Sequence, residues 1–392
     1  MTQKLHHTKI LGMLTLCSSA HQTSPGEGKG NEAVQIKTAI IDKDGAYQNG
    51  VPFITANSVR GQMRRFAGNR VLRSVLAKGE LVSRDTLLCV LRGAPSRTGI
   101  GGTMTLDQIS KGRANVFAGL FGGGAAMMPS NFRFTKDLLP MIPATEHLMA
   151  PEFSEQCRVR YSYIDKDGKQ GKKGERISVD VSPYMLLEQR VLTGRDDLAA
   201  GKGLEFLANP EETFMKHVSE VAASNKGKAD SKTEIQETKD AGEKYVGEQK
   251  KSDDLRGINM FEMIIPGTRL AFDLRSTEVN DAQIGMVLLS ILDFCVANRL
   301  GGQVARGCGS FAPSLTLHVD GKQVCTSITL GSDGDYSLAP ECAPYVAAAE
   351  KVIAGITNAD LEQLYPVVVG EPKAKGRKAD ASDKGQPVEA AQ

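Results

Sequence analysis

At 392 residues and 42.1 kDa the chain is long enough for one large domain with insertions or for two ordinary domains, and its apolar fraction of 41% is that of a soluble globular protein. The 41 glycines, the lack of tryptophan and the 5% aromatic content point to many loops and close backbone approaches. Seven cysteines without a CxxC spacing exclude a zinc ribbon and an even disulfide framework and fit a reducing cytoplasm, and no cleavable signal or membrane span is expected.

The net charge of +2 averages over segments of opposite character. From Ser58 to Asn115 there are eleven Lys or Arg against three acids (Glu80, Asp85, Asp107), which makes that stretch a candidate polyanion face.

In chain order, Lys9 to Cys17 reads as a strand, His21 to Asn31 as a polar loop and Val34 to Ile41 as a second strand, followed by a turn from Asp42 to Gly50. Ala56-Asn57-Ser58 offers a helix cap at Ser58. The segment Val59 to Leu76 carries apolar residues at Val59, Met63, Phe66, Val71 and Val75, which approximate one helical face. Gly93 to Thr105 and Gly119 to Ser130 are glycine-rich and read as surface or ligand-facing loops. Arg158 to Ile164 and Arg176 to Val181 alternate around a basic tip, the pattern of a long hairpin.

A helical pattern covers Tyr184 to Leu192, and Ser224 to Asp254 is a polar insertion. After it come strands at Asn259 to Ile265 and Thr268 to Leu274, a helix from Asp281 to Arg299, a glycine loop from Gly301 to Gly309 and a strand at Ser314 to Val319. From Gly370 the composition is that of a disordered tail.

A helix start exposes backbone N–H groups and the positive end of the dipole. With Ser58 as cap, Arg60 and Arg64 one turn apart, and Arg65 beside them, that start can hold phosphates. Read alone, it is a basic, solvent-facing helix. In Gly301–Gly309 the glycines permit close backbone approach while Gln303 and Arg306 supply donors; read alone, this is a tight turn. Neither a Walker loop nor a dinucleotide fingerprint is present, and no metal or cofactor is expected. Lys169, Lys172 and Lys173 at the hairpin tip can reach a polyanion. Tyr161, Tyr163 and Phe121 can stack on bases or pack in a core, and for the tyrosines packing is the simpler reading.

Two passages together resemble a known family. Val51-Pro52-Phe53-Ile54-Thr55-Ala56-Asn57-Ser58-Val59-Arg60-Gly61-Gln62-Met63-Arg64-Arg65 is similar to the Pro-aromatic-Ile to Lys/Arg-Gly-x-φ-Arg passage of the repeat-associated (RAMP) superfamily of CRISPR proteins. Leu300-Gly301-Gly302-Gln303-Val304-Ala305-Arg306-Gly307-Cys308-Gly309 resembles that superfamily's glycine-rich loop. Their order, Leu120-Phe121-Gly122 and the basic hairpin match its backbone subunits, the Cas-seven family, and the chain looks closest to those of type IV effectors.

The resemblance implies an α+β fold, an RNA-recognition-motif-like (ferredoxin-like) palm with inserted fingers and a β-hairpin thumb. Residues 1–110 would begin the palm and 111–257 would hold the fingers, the thumb (about 158–181) and the polar insertion (224–254). Residues 258–369 would complete the palm, and 370–392 would be a tail. It implies a non-catalytic cytoplasmic subunit that binds CRISPR guide RNA, lines up with other copies of itself in a helical filament and presents the guide to target DNA. Large-type and Cas-five-type subunits and a helicase would be its partners. The RNA-binding residues expected are Ser58, Arg60, Arg64, Arg65, Arg97, Arg113, Phe121, Lys169, Lys172, Lys173, Gly302, Gln303 and Arg306.

The competing reading is a ribonuclease of the same superfamily, for which Asp42 and Asp44 or His21 would be the candidate groups. An Asp-Lys-Asp-Gly segment is more often a turn, and a histidine in a polar loop is more often solvated. His6 and His7 are expected ahead of the first strand.

Overall fold

The computed structural model describes residues 4–24, 32–95, 105–124, 127–194, 204, 207–219, 257–326, 328–330 and 334–365. In chain order its elements are β1 (His6–Leu16), β2 (Glu32–Ala33), β3 (Lys37–Ile41), β4 (Tyr47–Pro52), α1 (Ala56–Ala77), α2 (Arg84–Arg92), α3 (Leu106–Ala114), the single turn α4 (Ala118–Phe121) and β5 (Phe132–Phe134). Then come the turn α5 (Ser154–Cys157), β6 (Arg160–Ile164), β7 (Arg176–Asp180), β8 (Leu187–Gly194) and a helix α6 at 210–219. The last group is β9 (Gly257–Ile264), β10 (Arg269–Val279), α7 (Asp281–Ala297), β11 (Phe311–Val319), β12 (Lys322–Thr326), β13 (Ile328–Leu330), β14 (Tyr336–Leu338), α8 (Ala343–Gly355) and α9 (Asn358–Leu364). The fold is α+β.

The central sheet has the order β12-β11-β1-β10-β5, with every neighbouring pair antiparallel. Since β1 and β5 both run against β10, they run the same way, and α1 lies between them in the chain. From β1, α1, β5, β10, α7 and β11 the chain therefore writes a β-α-β-β-α-β order around four adjacent strands.

Along β1 the side chains of Ile10, Leu14 and Leu16 join one core with Val59, Met63, Ala67, Val71 and Val75 of α1 and with α7, so both long helices cover the same face. Positions on α7 are buried almost all round, because the helix is covered a second time by α8. A Cβ on Gly285 would fall 1.9 Å from the Tyr345 carbonyl oxygen, so the two backbones touch there. A smaller cluster on the opposite face gathers Val51, Phe53, Leu139, Met141 and Ala271.

Several expectations are corrected. β1 begins at His6, so His6 and His7 lie within the strand; the ring of His6 meets Asp320 at 2.8 Å and Asp281 at 3.4 Å. The predicted turn Asp42 to Gly50 ends at Ala46, and β4 begins at Tyr47 and pairs with β3. The segment read as a helix from Tyr184 is a short 3-10 turn followed by β8, which pairs with β9 from Leu187↔Ile264 to Gly194↔Gly257. Its short apolar run fits either period, and the cross-strand partner decides.

Within Gly119 to Ser130, read as a surface or ligand-facing loop, Gly119, Leu120, Phe121 and Met128 are buried, and the end of α4 lies there. The insertion Ser224 to Asp254 and the tail from Gly370 lie outside the described residues.

Candidate nucleic-acid interface

The two passages that carry the family resemblance lie far apart in sequence and meet at one end of the central sheet. The connection is made by two consecutive residues after β1. The carbonyl of His21 accepts from Gly302 N at 2.6 Å, while Gln22 donates through Nε2 to Thr55 Oγ1 at 2.7 Å and accepts from Thr55 N at 2.9 Å. Gly309 N donates to Ser19 O at 2.9 Å. Gly301 must be glycine twice over: its φ is +77°, and a Cβ would lie 2.3 Å from the His21 oxygen.

Thr55, not Ser58, caps α1. Its hydroxyl accepts from Ser58 N, so Ser58 sits in the first turn. The T-A-N-S run offers three capping residues, Thr55, Asn57 and Ser58, and Thr55 is the one with extended backbone and a partner in Gln22. The first-turn N–H of Ala56 is already held by Asp137 Oδ1 at 2.7 Å. Protein groups therefore occupy much of the anion-binding capacity expected of this helix start.

The cations of α1 divide. Arg64 is only 5% exposed, and its guanidinium donates to four backbone carbonyls: Val90 (2.8 Å), Cys89 (2.6 Å), Phe121 (2.9 Å) and Gly122 (3.0 Å). Cys89 and Val90 belong to the last turn of α2, and Phe121 and Gly122 are the last residue and the cap of α4, where carbonyls run out of intrahelical partners; Cys89 O also accepts from Gly93 N at 3.0 Å. The ring of Phe117 lies 5.3 Å from the guanidinium carbon. Burial pushes the pKa of Arg64 down, and burial pushes the nearby Tyr365 hydroxyl up to about 12. Arg64 thus works inside the protein, not on a phosphate at the surface.

Arg60 is half-buried and donates to Phe121 O at 3.0 Å, and Arg70 makes a two-point pair with Asp293 at 2.6 Å for each bond. Arg65 and Arg113 are exposed, and Arg97 lies outside the described residues. Phe121 is 1% exposed and packs on Phe117 and Phe132, with ring centroids 5.3 and 4.8 Å away, so it cannot stack on a base. Gln303 is half-buried with φ +60°, and Arg306 is exposed.

The hairpin β6–β7 pairs without a slip from Arg160↔Asp180 to Ile164↔Arg176. Beyond it, the carboxylate of Asp165 accepts from the backbone N–H groups of Gly168, Lys169, Gln170 and Gly171, at 2.9 to 3.3 Å. Those bonds hold its pKa below the ordinary carboxylate value. Lys169, Lys172 and Lys173 are exposed on the tip so formed. Tyr161 stacks on Tyr163 (5.8 Å, 20°) and remains 54% exposed. It lines a groove of about 560 Å³ with Met141, Val159, Met185, Ile265 and Pro266, a mostly apolar wall that also carries Thr268 and Arg269.

The groups of the ribonuclease reading have other duties. The Asp42 carboxylate closes the β3–β4 turn, accepting from Asp44 N (3.0 Å), Ala46 N (2.8 Å) and Gln48 Nε2 (3.2 Å). His21 is 1% exposed rather than solvated; its Nδ1 meets Glu262 O at 2.7 Å, its Nε2 meets Thr23 Oγ1 at 3.0 Å, and burial lowers its pKa. Among the described residues no cluster of three His, Cys, Asp or Glu could hold a metal ion. No described helix is long and apolar enough to cross a membrane.

Sequence reasoning missed Gln22, Thr55, Asp137 and Tyr365. It could have suspected Arg64, because Gly68 follows one turn later on the same row; a Cβ there would meet Val90 at 2.8 Å, so this flank of α1 faces α2.

No protein-family model and no curated protein matches the chain. Among solved structures it is similar to a chain described as "Type IV-B CRISPR Complex", at 16% identity and a TM-score of 0.41, covering 80% of this chain and 90% of that one. At that level of likeness the functional reading rests on this chain's own residues.

Proposed function

We propose that the chain is an RNA-binding backbone subunit of a type IV CRISPR effector complex, copies of which line up along the spacer of one guide RNA. The observation that carries this reading is the meeting of the two family-like passages, the start of α1 and the glycine loop, through His21 and Gln22. The β-α-β-β-α-β order of the central sheet supports its reading as an RNA-recognition-motif-like palm, and the protruding β6–β7 hairpin supports its reading as the thumb.

On this reading the exposed cations Arg65, Arg113, Lys169, Lys172, Lys173 and Arg306 hold the RNA backbone, with Gln303 beside the glycine loop. Contacts to phosphate and sugar ignore sequence and leave base edges open to pair with target DNA. A head-to-tail contact between copies would generate a helical filament rather than a ring, so guide length sets the copy number. Large-type and Cas-five-type subunits and a helicase complete the assembly, and this subunit itself is non-catalytic and cytoplasmic.

The test is to purify the protein from cells carrying its own CRISPR array and to size and sequence the nucleic acid that stays bound. Discrete guide RNAs protected along their spacers are expected. No RNA, or only short cleaved ends, would overturn the proposal.

A further inference from the structure

Cys325 on β12 and Cys342, the last residue of the 3-10 turn ahead of α8, bring their sulfurs within 3.4 Å of each other. Both are free thiols; Cys342 is fully buried and Cys325 is 8% exposed. The two come from segments that meet only through the fold, since β12 edges the central sheet whereas α8 lies on α7. Reaching the ~2.05 Å of a disulfide bond takes a closing movement smaller than the length of one covalent bond.

We propose that this pair is an oxidation site, at which a hydroperoxide forms a disulfide that fastens β12 to the start of α8. The sulfur of Cys325, the more accessible of the two, attacks a peroxide oxygen; the O–O bond breaks, leaving a sulfenic acid and one water. The sulfur of Cys342 then attacks the sulfenic sulfur; the S–S bond forms, the S–O bond breaks, and the departing hydroxide leaves as water with the Cys342 proton. Two thiols and one hydrogen peroxide become one disulfide and two waters.

Burial raises both thiols, Cys342 to about 12, so the thiolate fraction is small and reaction at neutral pH is slow. The attacking role falls to Cys325 because its sulfur is on the more accessible residue of the pair.

The crosslink would act on the C-terminal helical pair. α8 and its following turn are held to α1 by Ser74 Oγ on Ile353 O at 2.9 Å and Lys78 Nζ on Ile356 O at 2.5 Å, and α9 leads to Tyr365, packed by the Arg64 cluster. A disulfide at the head of this pair would oppose its lifting away from the core.

The experiment treats the full chain with hydrogen peroxide, quenches it, unfolds it in N-ethylmaleimide without reductant, and maps the peptides by mass spectrometry. The expected product joins the Cys325 and Cys342 peptides, lighter than their sum by two hydrogen atoms, and thiol reductant removes it. A Tm raised by a few degrees and returned by reductant is expected alongside. The C325S and C342S variants, checked for folding by circular dichroism, should each lose both signals. Recovery of both cysteines as maleimide adducts from oxidised wild-type protein would overturn the proposal, as would Cys325 joined to a different cysteine.

Discussion

Two basic regions of this molecule look alike in sequence and are opposites in structure. Along α1 most of the arginines named are committed to the protein, Arg64 to four carbonyls, Arg60 to one and Arg70 to Asp293, with Arg65 left exposed, and the helix start is held by Thr55 and Asp137. At the hairpin tip the lysines are exposed on a loop built by a carboxylate and backbone N–H groups. A count of cations along the chain does not distinguish the two. A guanidinium with five N–H donors can serve as an internal bracket, whereas an ammonium on a flexible stem stays in water.

The sharpest way to break this contrast is Arg64→Ala. Removing one guanidinium takes a charged donor from four buried carbonyls, of which Phe121 keeps Arg60 and Cys89 keeps Gly93 N, and we expect a loss of about 3 kcal/mol by urea denaturation, with Arg64→Lys recovering only a minor part. An unchanged midpoint would move Arg64 to the class of the tip lysines.

His21 tests the same end of the sheet by pH. Its folded pKa lies below the ordinary 6.5, so on acidification the unfolded chain takes up the proton first. Stability is full above about pH 6.5 and falls as pH drops from there towards the folded pKa, by at most about 1.4 kcal/mol per pH unit. His21→Gln should flatten that part of a Tm-versus-pH curve.

For Arg70 and Asp293, both partly exposed, a double-mutant cycle should return a coupling of about 1 kcal/mol, reduced by salt. Smallest in stability is the triple change Lys169→Ala, Lys172→Ala and Lys173→Ala, expected within about 0.5 kcal/mol of wild type. Its effect belongs to binding: the log–log salt slope for single-stranded RNA should flatten by about 2, roughly 0.7 for each phosphate no longer neutralised.

Much of the scaffold was legible. The strands at Asn259 and Thr268, the helix from Asp281 and the basic hairpin stand where periodicity and turn residues put them, because each carries its period over a full element. α7 was legible from its apolar run, which reports burial on both sides. What could not be read depends on partners distant in sequence. Nothing in GLFGGG says that Gly119 abuts Gln283, where a Cβ would meet Nε2 at 2.5 Å, so a buried turn looks like a flexible loop. Thr55 outranks Ser58 as the cap through Gln22, which stands 33 residues earlier. At the site, the meeting of the two passages was legible only as resemblance, since the His21 carbonyl and Gln22 amide that join them carry no motif of their own.

The Asp165 carboxylate has a consequence for recognition. With four N–H groups gathered on it, the backbone beneath the lysines takes its shape during folding, before any polyanion arrives. On the protein's side, the conformational entropy lost on association then falls mainly on side-chain rotamers, about 0.5 to 1.5 kcal/mol for each lysine that becomes fixed, in addition to the translational and rotational freedom that any association costs. A tip of this kind can capture and release a charged strand quickly while keeping its form.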